Sequence, residues 1–279
     1  MTAGTILRPD GTGLGSSTVR RRLAAFGPAI VAGVVFVVGW ELTVRVFGIS
    51  EFLLPRPSSI VAALVDNWSA AESGSTVPLW RAGWNTTVIA VTGLAIGVTL
   101  GGLLALAVTR FVRVGRAITP LAVAANATPI IALAPIFNAW FGITSLVSNQ
   151  AVVVVVVFFP VFVNTARGLL DVEPAQLELM RSYGTSDMGI LRHVRIPNAI
   201  PFFLTSLRLA APLSVIAAIV AEYFGGPQDR LGPVITQNAS FARYDVAWAA
   251  IVVASVVGLV LFGLALAVER AAMPWRRPS

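Results

Sequence analysis

Apolar residues in this chain neither alternate with polar ones nor keep to one stripe of a helix. They come in long, nearly unbroken runs. The first extends over 23–48, and others cover about 84–109, 117–140, 146–166, 202–222 and 247–268. Each is long enough to cross a bilayer, for which about 20 apolar helical residues suffice. The first run is also too long for a signal peptide, whose apolar stretch is about 7–15 residues, so it is expected to stay in the mature protein. The pattern predicts an all-α integral membrane protein of about six transmembrane helices.

The connections differ from one another. In 49–83, Phe52–Pro57 is expected to be extended, because each proline biases its predecessor away from helix. Ser58–Asn67 then fits a short amphipathic helix at the membrane interface. The stretch from Arg167 to Pro201 is the longest connection on its side of the membrane and is richly punctuated. Glu173-Pro174 is a helix start, Ala175–Tyr183 suits a helix, and Gly184 suits its C-terminal cap. Thr185-Ser186-Asp187 supplies a new N-cap, and a second helix over Met188–Val194 is expected to end before Pro197. Leu177, Met180, Ile190, Leu191 and Val194 are apolar, so this helix–Gly–helix element needs a protein surface to bury its apolar face. Prolines also fall within the runs, at 129, 135, 160 and 212, where kinks are tolerated if they face protein or a watery cavity.

Composition supports the membrane reading and narrows the chemistry. Hydrophobic residues make up 56% and charged ones 12%, against about 25% charged in soluble domains. All twenty basic residues are Arg. Fifteen of them lie in the N-terminal tail, the 110–119 loop, the 167–208 region and, counting Arg270 at its edge, the C-terminal tail. That asymmetry predicts cytoplasmic tails over 1–22, expected to be disordered, and 271–279, with the transmembrane domain over 23–270. It also accounts for the net charge of +7 without nucleic acid. There is no Cys, and His193 is the one His, so thiolate and multi-histidine metal sites are excluded. Without Lys, neither a Walker A loop nor a Schiff base can form. No catalytic group, metal or cofactor is expected.

Charges within the runs decide between transport classes, because ion-coupled carriers usually hold a carboxylate or His at mid-membrane. Glu41 lies near the outer end of the first run, where Arg45 one turn later can pair with it. Glu222 closes the fifth run at its outer end, as a gate residue with Arg230 or Arg243 or as an exposed loop acid. Arg208 is close enough to the inner end to snorkel. No carboxylate sits at mid-depth, which weighs against a stand-alone secondary carrier or channel, the alternative reading. Asn126, Asn138 and Asn164 either line a pathway or bond between helices.

Glu178-Leu179-Met180, three residues, Gly184, nine residues and Val194-Arg195-Ile196-Pro197 resemble the EAA motif of permease subunits of bacterial ABC importers. Glu, Gly, Pro and all spacings match, whereas Leu179 and Met180 replace the paired alanines and Val194 and Ile196 are aliphatic replacements. Leu54-Pro-Arg-Pro57, Ala132–Ile136, Trp140–Gly142, Phe159-Pro160, Ala221-Glu222 and Leu231-Gly232 extend the likeness to the nitrate, sulfonate, taurine and pyrimidine-precursor branch. Arg208–Leu213 and Ala218–Tyr223 lean towards thiamine-pyrimidine or riboflavin-type solutes. The resemblance implies a type I ABC importer permease-like fold in a bacterial plasma membrane. It also implies a coupling loop over 171–200, in which Glu178, Met180, Gly184, Val194, Ile196 and Pro197 meet a separate ABC ATPase dimer. The further partners it implies are a second permease copy or a similar paralogue, and an extracytoplasmic solute-binding protein. That protein would touch the outer segments 49–83 and 223–246, with Glu222 just before the second and Arg230 within it.

Overall fold

In lipid each backbone N–H and C=O needs a partner within its own segment, and long helices satisfy that requirement. A computed structural model describes residues 14–69, 77–110 and 130–273, and every regular element among them is helical. Among the described residues, five helices are long and apolar enough to cross a membrane: Gly27–Val46, Leu79–Thr109, Leu146–Leu170, Asp187–Phe224 and Tyr244–Ala272. The span expected over 117–140 lies mostly outside the described residues, as does Asn126. Its described end is a tight turn, Ile130–Leu133, followed by a short helix, Ala134–Phe141.

Contacts divide the chain into residues 1–59 and 60–279. In the first unit, helix α1 runs Leu14–Val46. It starts inside the stretch expected as a disordered tail, because Arg and Leu are good helix formers and an established helix extends cheaply. Arg45 pairs with Glu41 at 2.6 Å as expected. Glu41 also accepts from the Ser58 N–H and hydroxyl, so it caps the first turn of α2 (Pro57–Ser69), the short helix predicted there.

The second unit is built on α3 (Leu79–Arg110), α5 (Leu146–Leu170), α8 (Ile196–Phe224) and α10 (Tyr244–Ala272), with Ala134–Phe141 as α4. These helices overrun the apolar runs that predicted them. At about 1.5 Å per residue, the 29 residues of α8 and of α10 reach about 43 Å, the thickness of a bilayer with its headgroups. The core packs Ile89 and Ala90 against Val153, Val157 and Val161, and these against Ala210, Val215 and Ala218. Gly93, Gly97 and Gly101 recur every fourth residue on α3. A Cβ there would stand 2.6 Å from Val153, 3.0 Å from Val157 and 3.0 Å from the Phe158 carbonyl oxygen, respectively. The missing side chains let the two backbones close on each other, which is how membrane helices gain dispersion contact where the lipid supplies no hydrophobic drive. Within α8, Arg208 pairs with Glu269, near the C-terminal end of α10, at 3.1 Å instead of only snorkelling.

Candidate functional site

The helix–Gly–helix element forms much as its local signals require. Helix α6 runs Pro174–Ser182, with Glu173 as N-cap and proline in its first turn. Gly184 adopts φ +68°. The Gly184 N–H bonds to the Arg181 carbonyl at 2.9 Å, and the Thr185 N–H to the Met180 carbonyl at 3.1 Å. That pair of bonds is a Schellman cap, which needs a left-handed residue at the position Gly184 occupies. A Cβ at Gly184 would meet nothing within 4 Å, so the requirement for glycine is conformational. Ser186 then caps α7 (Asp187–Ile190), its hydroxyl accepting from the Gly189 N–H.

Beyond α7 the structure departs from expectation. The second helix does not stop before Pro197. Leu191–Arg195 form a single wide turn in which the Ile196 N–H reaches back five residues to the Leu191 carbonyl, and the chain continues directly into α8. A proline inside a helix lacks a donor and presses on the carbonyl four residues back. A wide turn placed just ahead of it relieves that pressure without breaking the helix. Val194 belongs to this turn, while Ile196 and Pro197 open α8. His193 is exposed on the turn, with Nδ1 2.9 Å from the Gly189 carbonyl.

Both roots of the element are stitched to the bundle. Asn198 donates to the carbonyls of Gly168 at 2.8 Å and Asp171 at 3.0 Å, where α5 leaves its last acceptors open. Gly168 lets the helices approach, since a Cβ there would lie 2.9 Å from the Ala199 Cα. Leu177 and Arg181 of α6, Met188 and Ile190 of α7, and Arg195 frame a cavity of about 190 Å³ with Thr109 of α3. Glu178 is exposed and takes no part in the lining, while Met180 is half-buried. Leu179, Tyr183 and Met188 are 55%, 77% and 60% exposed, so the element presents apolar side chains outward.

At the opposite end of α8, Glu222 is not an exposed loop acid. Only 2% of it is exposed, so it offers no face to another protein. Its Oε2 accepts from the Gly232 N–H at 2.9 Å and the Thr86 hydroxyl at 3.1 Å, and Thr86 Oγ accepts from the Leu231 N–H at 3.1 Å. These bonds hold the first turn of α9 (Leu231–Ser240). Arg230 is buried beside them and makes no ion pair within 4 Å with Glu222. Burial pushes its pKa down, and the charges of Glu222 and Asp229 oppose that. Asn85 donates to the carbonyl and carboxylate of Asp229. Thr86 and Asn85 had no local sequence signal, because their partners lie far along the chain. Asn138 is buried, donating to the Phe224 carbonyl and accepting from Ser148, and Asn164 donates back to Pro160 on its own helix.

Comparison with known proteins bears on this arrangement. The family described as "Binding-protein-dependent transport system inner membrane component" matches residues 97–273. The chain belongs to that family. This permease is 34% identical to a formylaminopyrimidine transport permease of Halalkalibacterium halodurans, over 93% of this chain and 99% of the relative. It is 29% identical to a putative aliphatic sulfonates transport permease of Escherichia coli, over 85% of this chain and 87% of that one. A riboflavin transport system permease of Chloroflexus aurantiacus is 25% identical over 85% of each chain. Among solved structures, the MetNI methionine ABC transporter in an inward-facing conformation shares the fold, with a TM-score of 0.51 and 20% identity over 69% of the permease and 95% of that chain. The permease is thus a multi-pass membrane subunit of an ABC importer, and its family places ATP hydrolysis in a separate subunit and solute capture in a binding protein.

Proposed function

We propose that the permease takes up a small aminopyrimidine-like solute and receives its driving force through α6 and α7. The observation that carries the second part is the Schellman-capped α6–Gly184–α7 element. It is anchored at both roots to the bundle yet turns Leu179, Tyr183 and Met188 outward. An apolar surface held rigidly at the end of a membrane bundle suits a docking partner, and the ATPase subunit is the partner the family provides. Glu178, Met180 and Gly184 lie on or beside that surface, and Val194, Ile196 and Pro197 transmit its position into α8. Two ATPase subunits engage two permease copies, and their closure shifts the paired elements and alternates access. Asn138 acts as a fastener between α4, α5 and α8, Asn164 bonds within α5, and any pathway role falls to groups facing the second copy.

The Arg distribution supports an orientation with both termini and α6–α7 in the cytoplasm and α9 outside. The solute class is supported by the 34% identity to a formylaminopyrimidine permease. Two measurements test the proposal. Uptake of labelled formylaminopyrimidine by cells carrying the transporter should exceed that of taurine, sulfonate or nitrate, and the reverse order sinks the solute assignment. Gly184→Trp should abolish ATP-dependent uptake while the chain still inserts in the membrane, because a bulky L-residue is strained at φ +68° and moves Thr185 onwards. Undiminished uptake sinks the coupling role.

A further inference from the structure

The two ends of the permease are joined by one rod. Asp187–Phe224 is a continuous helical segment of 38 residues, about 57 Å at 1.5 Å per residue, because the wide turn at Leu191–Arg195 absorbs Pro197 instead of ending the helix. At one end of the rod is α7; in the last turn at the other is Glu222. Its carboxylate holds the first turn of α9 through Gly232, and Thr86 of α3 holds both Glu222 and Leu231.

We propose that Glu222 is the joint through which the Asp187–Phe224 rod moves α9, so that displacement of α6–α7 at one face of the permease is delivered to α9 at the other. This rests on the reading of α6–α7 as the element that meets the ATPase. Three observations carry it. First, the covalent link from rod to α9 begins with Gly225-Gly226, which have no side chains of their own and are packed under Asn138, Ile143 and Asn149, with Asn85 holding Asp229 further on. The bond from the rod to the α9 backbone itself is that of Glu222. Stiffness must come from side chains. Second, α9 sits directly on the rod. A Cβ on Gly232 would lie 2.4 Å from the Glu222 Cβ and 3.0 Å from the Ile219 carbonyl oxygen, so the α9 backbone rides on the α8 backbone with no intervening side chain. Third, a buried carboxylate is a poor way to gain stability, since a well-packed apolar residue often serves as well or better. What Glu222 supplies that an apolar residue lacks is direction: one oxygen receives donors from two elements and fixes their angle. Glu222 is therefore a positioning residue, acting on α9 and touching no solute.

The chain contains no Cys, so a single introduced thiol reports on α9 without background. Ser240 is exposed near the end of α9, and Ser240→Cys supplies the reporter in the assembled transporter, reconstituted in nanodiscs. Its rate of reaction with a maleimide is measured without nucleotide and after trapping with ATP and vanadate. With Glu222 in place, the two rates should differ by about fivefold or more, the lower range of a coupling between distant sites. Glu222→Leu should remove that difference while ATP hydrolysis by the transporter continues, a split that general loss of structure does not produce. Glu222→Gln keeps an acceptor for the Gly232 N–H and should retain most of the difference. If Glu222→Leu does not assemble, Glu222→Met carries the test, since it likewise leaves the Gly232 N–H without its acceptor. An undiminished difference in the assembled Leu or Met variant overturns the joint, and so does equal labelling in both states with Glu222 intact. The coupling reading is scored separately, by ATP-dependent uptake in Gly184→Trp, whatever Glu222 does.

Discussion

Asn198 follows a proline at the start of an apolar helix and divides its amide between the carbonyls of Gly168 and Asp171. Replacing it by Leu removes both donors and leaves two acceptors at the end of α5 open. The expected cost is about 1–3 kcal/mol, read as a lower unfolding temperature in detergent, while Asn164→Leu, which loses only a bond within its own helix, should cost less. Equal losses would mean that Asn198 does not fasten the root of the loop. The two asparagines look alike in sequence. Caps were legible because their partners lie within four residues: Glu173-Pro174, Gly184 and Ser186 do what their neighbours demand. Asn198, Asn138 and Thr86 were not, since each bonds to a group brought near only by the fold. Glu222 was visible as an odd acid at a helix end, but whether it faced outward depended on Gly232, ten positions on.

At the scale of elements, apolar runs coincide with the five spans among the described residues and are shorter than the helices there, because polar and small residues at the ends of α8 and α10 remain helical. Proline normally ends a helix, so the sequence ahead of Pro197 predicts a stop. The structure instead widens one turn and keeps the rod. The Gly93–Gly97–Gly101 stripe is readable as a four-residue spacing, but the helix it faces became evident only from the fold. That contact gives a sharp prediction. Gly→Ala in a helix normally gains roughly 0.5–1 kcal/mol, and Gly263, with nothing within 4 Å of its absent Cβ, should show such a gain on replacement by Ala. At Gly97 the added methyl would stand 3.0 Å from Val157 and from the Val154 carbonyl oxygen. The gain there should vanish or reverse, with overpacking costs of about 1–3 kcal/mol for Gly97→Leu. Thermal unfolding of the purified chain measures both substitutions, and a stabilised Gly97→Leu variant would show that α3 and α5 do not pack so closely.

Over the whole molecule, the uneven placement of Arg and the single direction of the Asp187–Phe224 rod make one joint prediction about orientation. Fifteen of the twenty Arg lie within 1–22, 110–119, 167–208 and 270–279, and positive residues stay in the cytoplasm. The rod carries α7 at its start and leads to α9 past its end, so those elements must lie on opposite faces of the bilayer whichever way the permease inserts. The Arg count chooses between the two insertions. Ser182 on α6 and Ser240 on α9 are both exposed, and Ser182→Cys or Ser240→Cys puts a lone thiol at either place in a chain that has no Cys of its own. In intact cells a membrane-impermeant maleimide should react with the thiol on α9 and spare the one on α6, and lysis should make both reactive. The reverse pattern would place α6–α7 outside, beyond reach of any cytoplasmic ATPase, and would remove the proposed coupling role in one measurement. Labelling of both in intact cells would mean that the rod does not cross the bilayer once, contrary to its length and its apolar middle.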